Sequence, residues 1–156
     1  MIKFILLVIF CFFCSLSYAQ NTIDMIMIEK SKRILKLIKN GNIVKEYLID
    51  LGFDPIGHKY FKGDGKTPEG LYFVKNKSSE SDFYLSLQVS YPNEWDERNA
   101  KSFNKDAGNY IMIHGEPSIK NKNIKDWTNG CIALKNEDML EIYKHVSIKT
   151  PIYIKP

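Results

Sequence analysis

The sequence predicts one mainly β domain with a C-terminal helix, an α+β arrangement. Three observations carry that expectation. Apolar residues alternate along 23–49, and Asn40-Gly41 separates two of the runs; period-two spacing puts alternate side chains on opposite faces of a strand, and Asn-Gly supplies the positive φ angles of a tight hairpin. Glycine and proline crowd residues 51–70, which excludes a regular element there. Near the C-terminus Met139, Leu140, Ile142, Tyr143 and Val146 recur at helical spacing.

The elements follow in order. Residues 1–19 read as a secretory leader: Lys3 is a minimal positive region, Phe4 to Leu16 an apolar core, and Ser17-Tyr18-Ala19 a small-x-small cleavage site. That core is shorter than the roughly 20 apolar residues a spanning helix needs, so no stable membrane span is expected after cleavage. Residues 20–156 then form one domain. Ile23, Met25 and Met27 alternate through a first strand, and runs from Ile34 to Ile38 and Ile43 to Ile49 complete a meander. The glycine-rich interval is read as a long loop, of the kind that carries function on a rigid sheet. Leu71 to Val74 resumes a strand, Asn76 to Asp82 reads as a polar turn, and Phe83 to Ser90 alternates again. Tyr91-Pro92-Asn93 breaks that strand, and Glu94 to Lys105 is charged and partly helical. Tyr110 to Ile113 is a short strand ending at His114-Gly115, and Glu116 to Trp127 is a polar connection. A helix spans 136–146 with Asn136 as N-cap and Glu137 and Asp138 in its first turn, and Thr150 to Ile154 closes as a strand.

The formal net charge is +4, and lysine and arginine are scattered without a basic block. Nucleic acid is therefore not an expected partner, while an anionic wall polymer is compatible with this surface. Cys11 and Cys14 fall in the leader, which leaves Cys131 as the lone thiol of the exported domain. A thiol retained in an oxidising compartment is open to unwanted pairing, which points to a chemical use.

His114 stands at a strand end before Gly115, whose missing Cβ admits another group close to the imidazole. Cys131 follows Thr128-Asn129-Gly130 and precedes an apolar run. These residue types belong together: a thiol near pKa 8.5 is mostly protonated at neutral pH, and a neighbouring imidazole stabilises the attacking thiolate. The amides near Gly130 and Cys131 are candidates for facing an oxyanion. A zinc site on His58, Asp64 and His114 is a competing arrangement with three ligands and one open position. No paired-histidine helix motif accompanies it, and a loop lining a cleft accounts for the same residues; neither metal nor cofactor is expected. Trp95 and Trp127 suit either a cleft rim or core packing.

In their order, Gly57 to Val74 (GHKYFKGDGKTPEGLYFV), Leu85 to Ala100 (LSLQVSYPNEWDERNA), Ile111 to Gly115 (IMIHG) and Thr128 to Leu134 (TNGCIAL) resemble the L,D-transpeptidase catalytic domain family of the YkuD type. The resemblance covers essentially all of 20–156. It implies a β-sandwich or barrel with a catalytic cleft, and a Cys131 thioester formed at a carbonyl beside diaminopimelate, with His114 as base. It also implies that the backbone carbonyl of Gly115 orients the imidazole. His58, Tyr91, Thr128, Asn129 and Gly130 are the expected substrate-binding residues. The implied partners are peptidoglycan stem peptides and a wall-linked lipoprotein, in the periplasm or cell envelope. Asn129 stands where the family's motif typically has His, and Ala133 where it has Asn or Arg. Only 13 residues separate His114 from Thr128. The chain thus resembles a divergent branch, in which some members hydrolyse rather than crosslink.

Overall fold

The computed structural model describes residues 22–117 and 124–156. The leader expected over 1–19 and the middle of the polar connection lie outside the described residues. Eight strands and two helices follow one another as β1 (Met25–Glu29), β2 (Ile34–Lys39), β3 (Asn42–Leu48), β4 (Gly70–Ser81), β5 (Tyr84–Val89), α1 (Glu94–Ser102), β6 (Met112–His114), β7 (Ile132–Ala133), α2 (Asn136–His145) and β8 (Pro151–Lys155). The strands form one mixed sheet in the order β3-β2-β1-β8-β4-β5-β6-β7.

Burial in the meander is decided by pairing. Ile26 faces Leu37 and Ile28 faces Leu35, and all four are buried. Met27 faces Lys36, so the face carrying Met25 and Met27 is the one that keeps a charged side chain near solvent, and both methionines are only half buried. Of the apolar alternation expected at Ile23, Met25 and Met27, the two methionines therefore mark the outer face of β1, while Ile23, ahead of the strand, is buried in the core. β8 returns parallel to β1, with Ile152 beside Ile26 and Ile154 beside Ile28, and completes this side of the core. Burying an aliphatic side chain of this size contributes roughly 1.5–3 kcal/mol.

β4 joins the two halves of the sheet: Gly70–Phe73 pair with β8, and Val74 onward pairs with β5. The polar turn expected over 76–82 is instead a continuation of β4 to Ser81. Its residues lie largely on solvent-facing backbone, so no apolar alternation is required, and the ladder to β5 keeps the chain extended. Beyond β3, Asp50 bridges Ala133 and Gly52 bridges Thr128, which carries the start of the glycine-rich loop to the β7 edge. The charged segment after Pro92 forms α1, capped by Asn93 and Asp96 in a reciprocal capping box.

The terminal helix departs from expectation at its start. Lys135 is the N-cap and makes no side-chain cap bond; Asn136 is the first helical residue, and its amide oxygen accepts from the Glu116 N–H at 2.8 Å. Met139, Ile142 and Val146 enter the core. No described helix is long and apolar enough to cross a membrane.

Candidate active site

β6 and β7 run parallel, with Ile113 beside Ile132 and His114 beside Ala133. Ile113 and Ile132 are fully buried in the core. Side chains alternate along a strand, so His114 and Cys131, which immediately precedes β7, project from the opposite face. Two short strands thus place a thiol and an imidazole, 17 residues apart in sequence, on one surface.

His114 is 3 % exposed, and its Nδ1 lies 2.6 Å from the Gly115 carbonyl oxygen. A carbonyl only accepts, so Nδ1 carries the proton and Nε2 of the neutral ring is the basic nitrogen. The ring sits 4.6 Å from that of Phe83 and 5.8 Å from that of Trp127, centroid to centroid. Burial lowers the imidazole pKa below its ordinary value, against a smaller upward pull from the Gly115 carbonyl. Burial also raises the Cys131 thiol, against smaller downward pulls from the Met112 backbone and the Lys59 charge. At neutral pH the two groups rest as thiol and neutral imidazole, the state from which a base removes a proton. The Cys131 Sγ donates to the Tyr110 carbonyl at 3.6 Å.

The approach to the thiol is held by Thr128. Its hydroxyl accepts from the Gly130 N–H at 3.1 Å and donates to the Cys131 carbonyl at 2.7 Å. The Gly130 amide, a candidate for facing an oxyanion, is engaged in fixing this turn. Gly130 has φ +121°, and a Cβ there would stand 2.5 Å from the Lys66 carbonyl oxygen, so glycine is required for both conformation and space. The glycine-rich loop thus packs against the backbone immediately before Cys131. Within it Asp64 gathers the Lys59 ammonium at 2.7 Å and the amides of Tyr60, Phe61 and Lys66. Burial raises the Asp64 pKa, but these bonds together outweigh it and hold the carboxyl low.

His114, Gly115, Thr128, Gly130 and Cys131 come together, with Asn129 exposed at the tip of the turn. His58 and Tyr91 each engage partners of their own. His58 Nδ1 accepts from the Glu69 N–H at 3.0 Å, its Nε2 is 3.1 Å from the buried Asp96 carboxylate, and its ring packs on Trp95. Tyr91 lies in the core and donates to the Ala107 carbonyl at 2.9 Å. The three residues of the zinc arrangement engage separate partners: Asp96 and Glu69 for His58, Lys59 for Asp64, Gly115 for His114. Among the described residues no three His, Cys, Asp or Glu side chains gather into a metal-holding group. Sequence reasoning missed Phe83 beside the imidazole, which it read only as a strand residue, and Asn136, whose helix-cap signal masked another use. Trp127 is half-buried and packs edge-on to the His114 ring.

The model of the L,D-transpeptidase catalytic domain family, YkuD, matches residues 23–154. YafK of Escherichia coli (strain K12), an L,D-transpeptidase by name, is 31 % identical over 129 residues, covering 78 % of this chain and 46 % of YafK. The helical cell shape determining protein Pgp2 of Campylobacter jejuni superposes with a TM-score of 0.67 at 27 % identity, over 85 % of this chain and 47 % of that one. L,D-transpeptidase 1 of Mycobacterium tuberculosis shares the fold at a TM-score of 0.54 and 12 % identity, over 85 % of this chain and 60 % of that one. The chain spans about half the length of YafK and Pgp2. With the family model matched across nearly all of the described domain, the chain belongs to the L,D-transpeptidase catalytic domain family.

Proposed function

We propose that this chain is an exported peptidoglycan L,D-transpeptidase that acts through a Cys131 thioester at diaminopimelate-containing stem peptides. The observation that carries the reading is the placement of a half-buried thiol and an Nδ1-protonated imidazole on one face of β6 and β7. His114 Nε2 takes the thiol proton as Sγ attacks the carbonyl carbon on the diaminopimelate side of the scissile bond. The C–S bond forms, the C–N bond breaks, and the imidazolium returns the proton to the leaving amine. An acceptor amine then attacks the thioester and loses a proton to His114. The C–S bond breaks, and the returned proton restores the thiol.

Hydrolysis on the same scaffold is the second reading, favoured by Asn129 and Ala133 in place of the polar residues typical of the cysteine motif. Water then replaces the amine in the last step, giving L,D-carboxypeptidase or amidase activity. Stem peptides of peptidoglycan are the proposed substrates, a wall-linked lipoprotein a proposed acceptor or partner, and the periplasm or cell envelope the proposed location. The shape-determining name of Pgp2 fits a wall-modifying role.

The test is mass spectrometry of purified muropeptides after incubation with wild type and Cys131→Ala. New diaminopimelate-linked dimers identify transpeptidation, and shortened stems without dimers identify hydrolysis. Cys131→Ala is expected to abolish either product; retained turnover removes the cysteine mechanism. No product from wild type, with sacculus binding intact, identifies a wall-binding module instead. Loss of turnover on chelation, with metal in the purified protein, would transfer the chemistry to zinc.

A further inference from the structure

One side chain behind the imidazole is used against its local preference. Asparagine before an acidic first turn ordinarily caps a helix by accepting from an N–H of that turn, a role worth about 1 kcal/mol. At the start of α2 that role is left unfilled: the N-cap is Lys135, with no side-chain bond. Asn136 instead sends its Oδ1 to the Glu116 N–H at 2.8 Å. The same oxygen occupies the space into which a Gly115 Cβ would project, so glycine at 115 keeps this contact open.

The Glu116 N–H and the Gly115 C=O belong to one peptide group, whose nitrogen lone pair is delocalised onto its oxygen. That oxygen accepts the His114 Nδ1–H at 2.6 Å. Three groups therefore lie in series: imidazole Nδ1–H, the Gly115–Glu116 peptide, and the Asn136 carbonyl. An acceptor on the N–H side holds the peptide plane against rotation and shifts electron density toward its carbonyl oxygen, so hydrogen bonds in series reinforce one another. Residues that orient a functional histidine through its second ring nitrogen fix both its tautomer and its aim. Because the terminal group is a neutral amide, the series adds no full negative charge beside the ring, and His114 remains a neutral base at rest.

We infer that Asn136 is a positioning residue for His114, acting through the Gly115–Glu116 peptide. The inference rests on the proposed pairing of His114 with Cys131, and it differs from a merely structural tie between α2 and the segment after β6. A structural tie predicts a change in stability alone; the series predicts a change at the imidazole.

The experiment follows the His114 ring by nitrogen-15 and proton NMR, and Cys131 by its rate of alkylation with iodoacetamide, in wild type, Asn136→Ala and Asn136→Asp. Removing the acceptor in Asn136→Ala is expected to move the Nδ1–H resonance upfield, populate the Nε2–H tautomer, and slow alkylation near neutral pH roughly fivefold, the worth of one net hydrogen bond. Asn136→Asp keeps an acceptor oxygen in the same place and is expected to restore the Nδ1–H form, while its added negative charge raises the imidazole pKa above that of the wild type. A folded Asn136→Ala with the wild-type ring spectrum and alkylation rate overturns the inference, as does failure of Asn136→Asp to restore the Nδ1–H form. Should Asn136→Ala not fold, Gly115→Ala displaces the same amide by its Cβ and is expected to give the same losses; wild-type values there overturn the inference. Neither measurement uses peptidoglycan, so an error in the wall substrate and an error in this assignment are read separately.

Discussion

The Nδ1 proton of His114 and the burial of Cys131 set the pH behaviour of the site. His114 is held below its ordinary pKa by burial, so it is an unprotonated base at neutral pH and gains a proton only in acid. Cys131 is held above the ordinary thiol value, so without substrate it stays a thiol through the neutral range. The expected alkylation profile of the free protein therefore rises with a midpoint above that of a model thiol, and the acid limb of kcat/KM on muropeptides falls below pH 6.5, the ordinary imidazole value. An alkylation midpoint well below that of a model thiol would mean that the resting pair is ionic, contrary to this reading. Cys131 and Gly130 were legible because their types and order point to one chemistry. Asn136 was not, because a helix-cap reading explained it locally and the competing partner, Glu116, is 20 residues away.

At the level of elements, the C-terminal end of α2 is closed by a residue from β4. Lys77 donates to the carbonyls of Tyr143 and Val146, both at 2.6 Å, and its ammonium lies 4.3 Å from the Tyr143 ring centre. Cations at a helix C-terminus complement the exposed carbonyls and the helix dipole, while burial lowers the lysine pKa. Lys77→Met is expected to lower stability by about 1–3 kcal/mol, read as a lower midpoint in urea denaturation with an unchanged slope. An unchanged midpoint would mean that water satisfies these carbonyls equally well. The contact also explains why β4 outruns its apolar alternation. Residues 76–81 are held by the ladder to β5, and Lys77 is held by the helix it reaches. Neither constraint leaves a period in the sequence.

Across the whole molecule, Glu29 ties three neighbouring strands at their shared end. From β1 it meets Lys36 of β2 at 2.7 Å, Lys155 of β8 at 3.6 Å, and Lys32 of the intervening turn at 2.7 Å. Hydrogen bonds from Lys32 and Lys36 pull its pKa down to about 2 from 4.5. A carboxylate with a lowered folded-state pKa stabilises the fold above its unfolded value, and that stability is lost as pH falls through the folded value. Thermal midpoints are therefore expected to drop between pH 4.5 and about 2, and to drop less in Glu29→Gln; equal drops would assign the acid sensitivity elsewhere. The sequence by itself determined the strand-rich class, the glycine-rich loop and the two helical segments, and singled out Cys131 and His114 as the candidate pair, because periodicity, turn chemistry and residue reactivity are local properties. Tertiary structure alone decided which face of β1 is buried, how far β4 runs, which partners His58 and Tyr91 engage, and what Asn136 holds. Each of these depends on a partner that pairing across the sheet or packing of distant segments brings within a few ångströms, and no local pattern records such a partner.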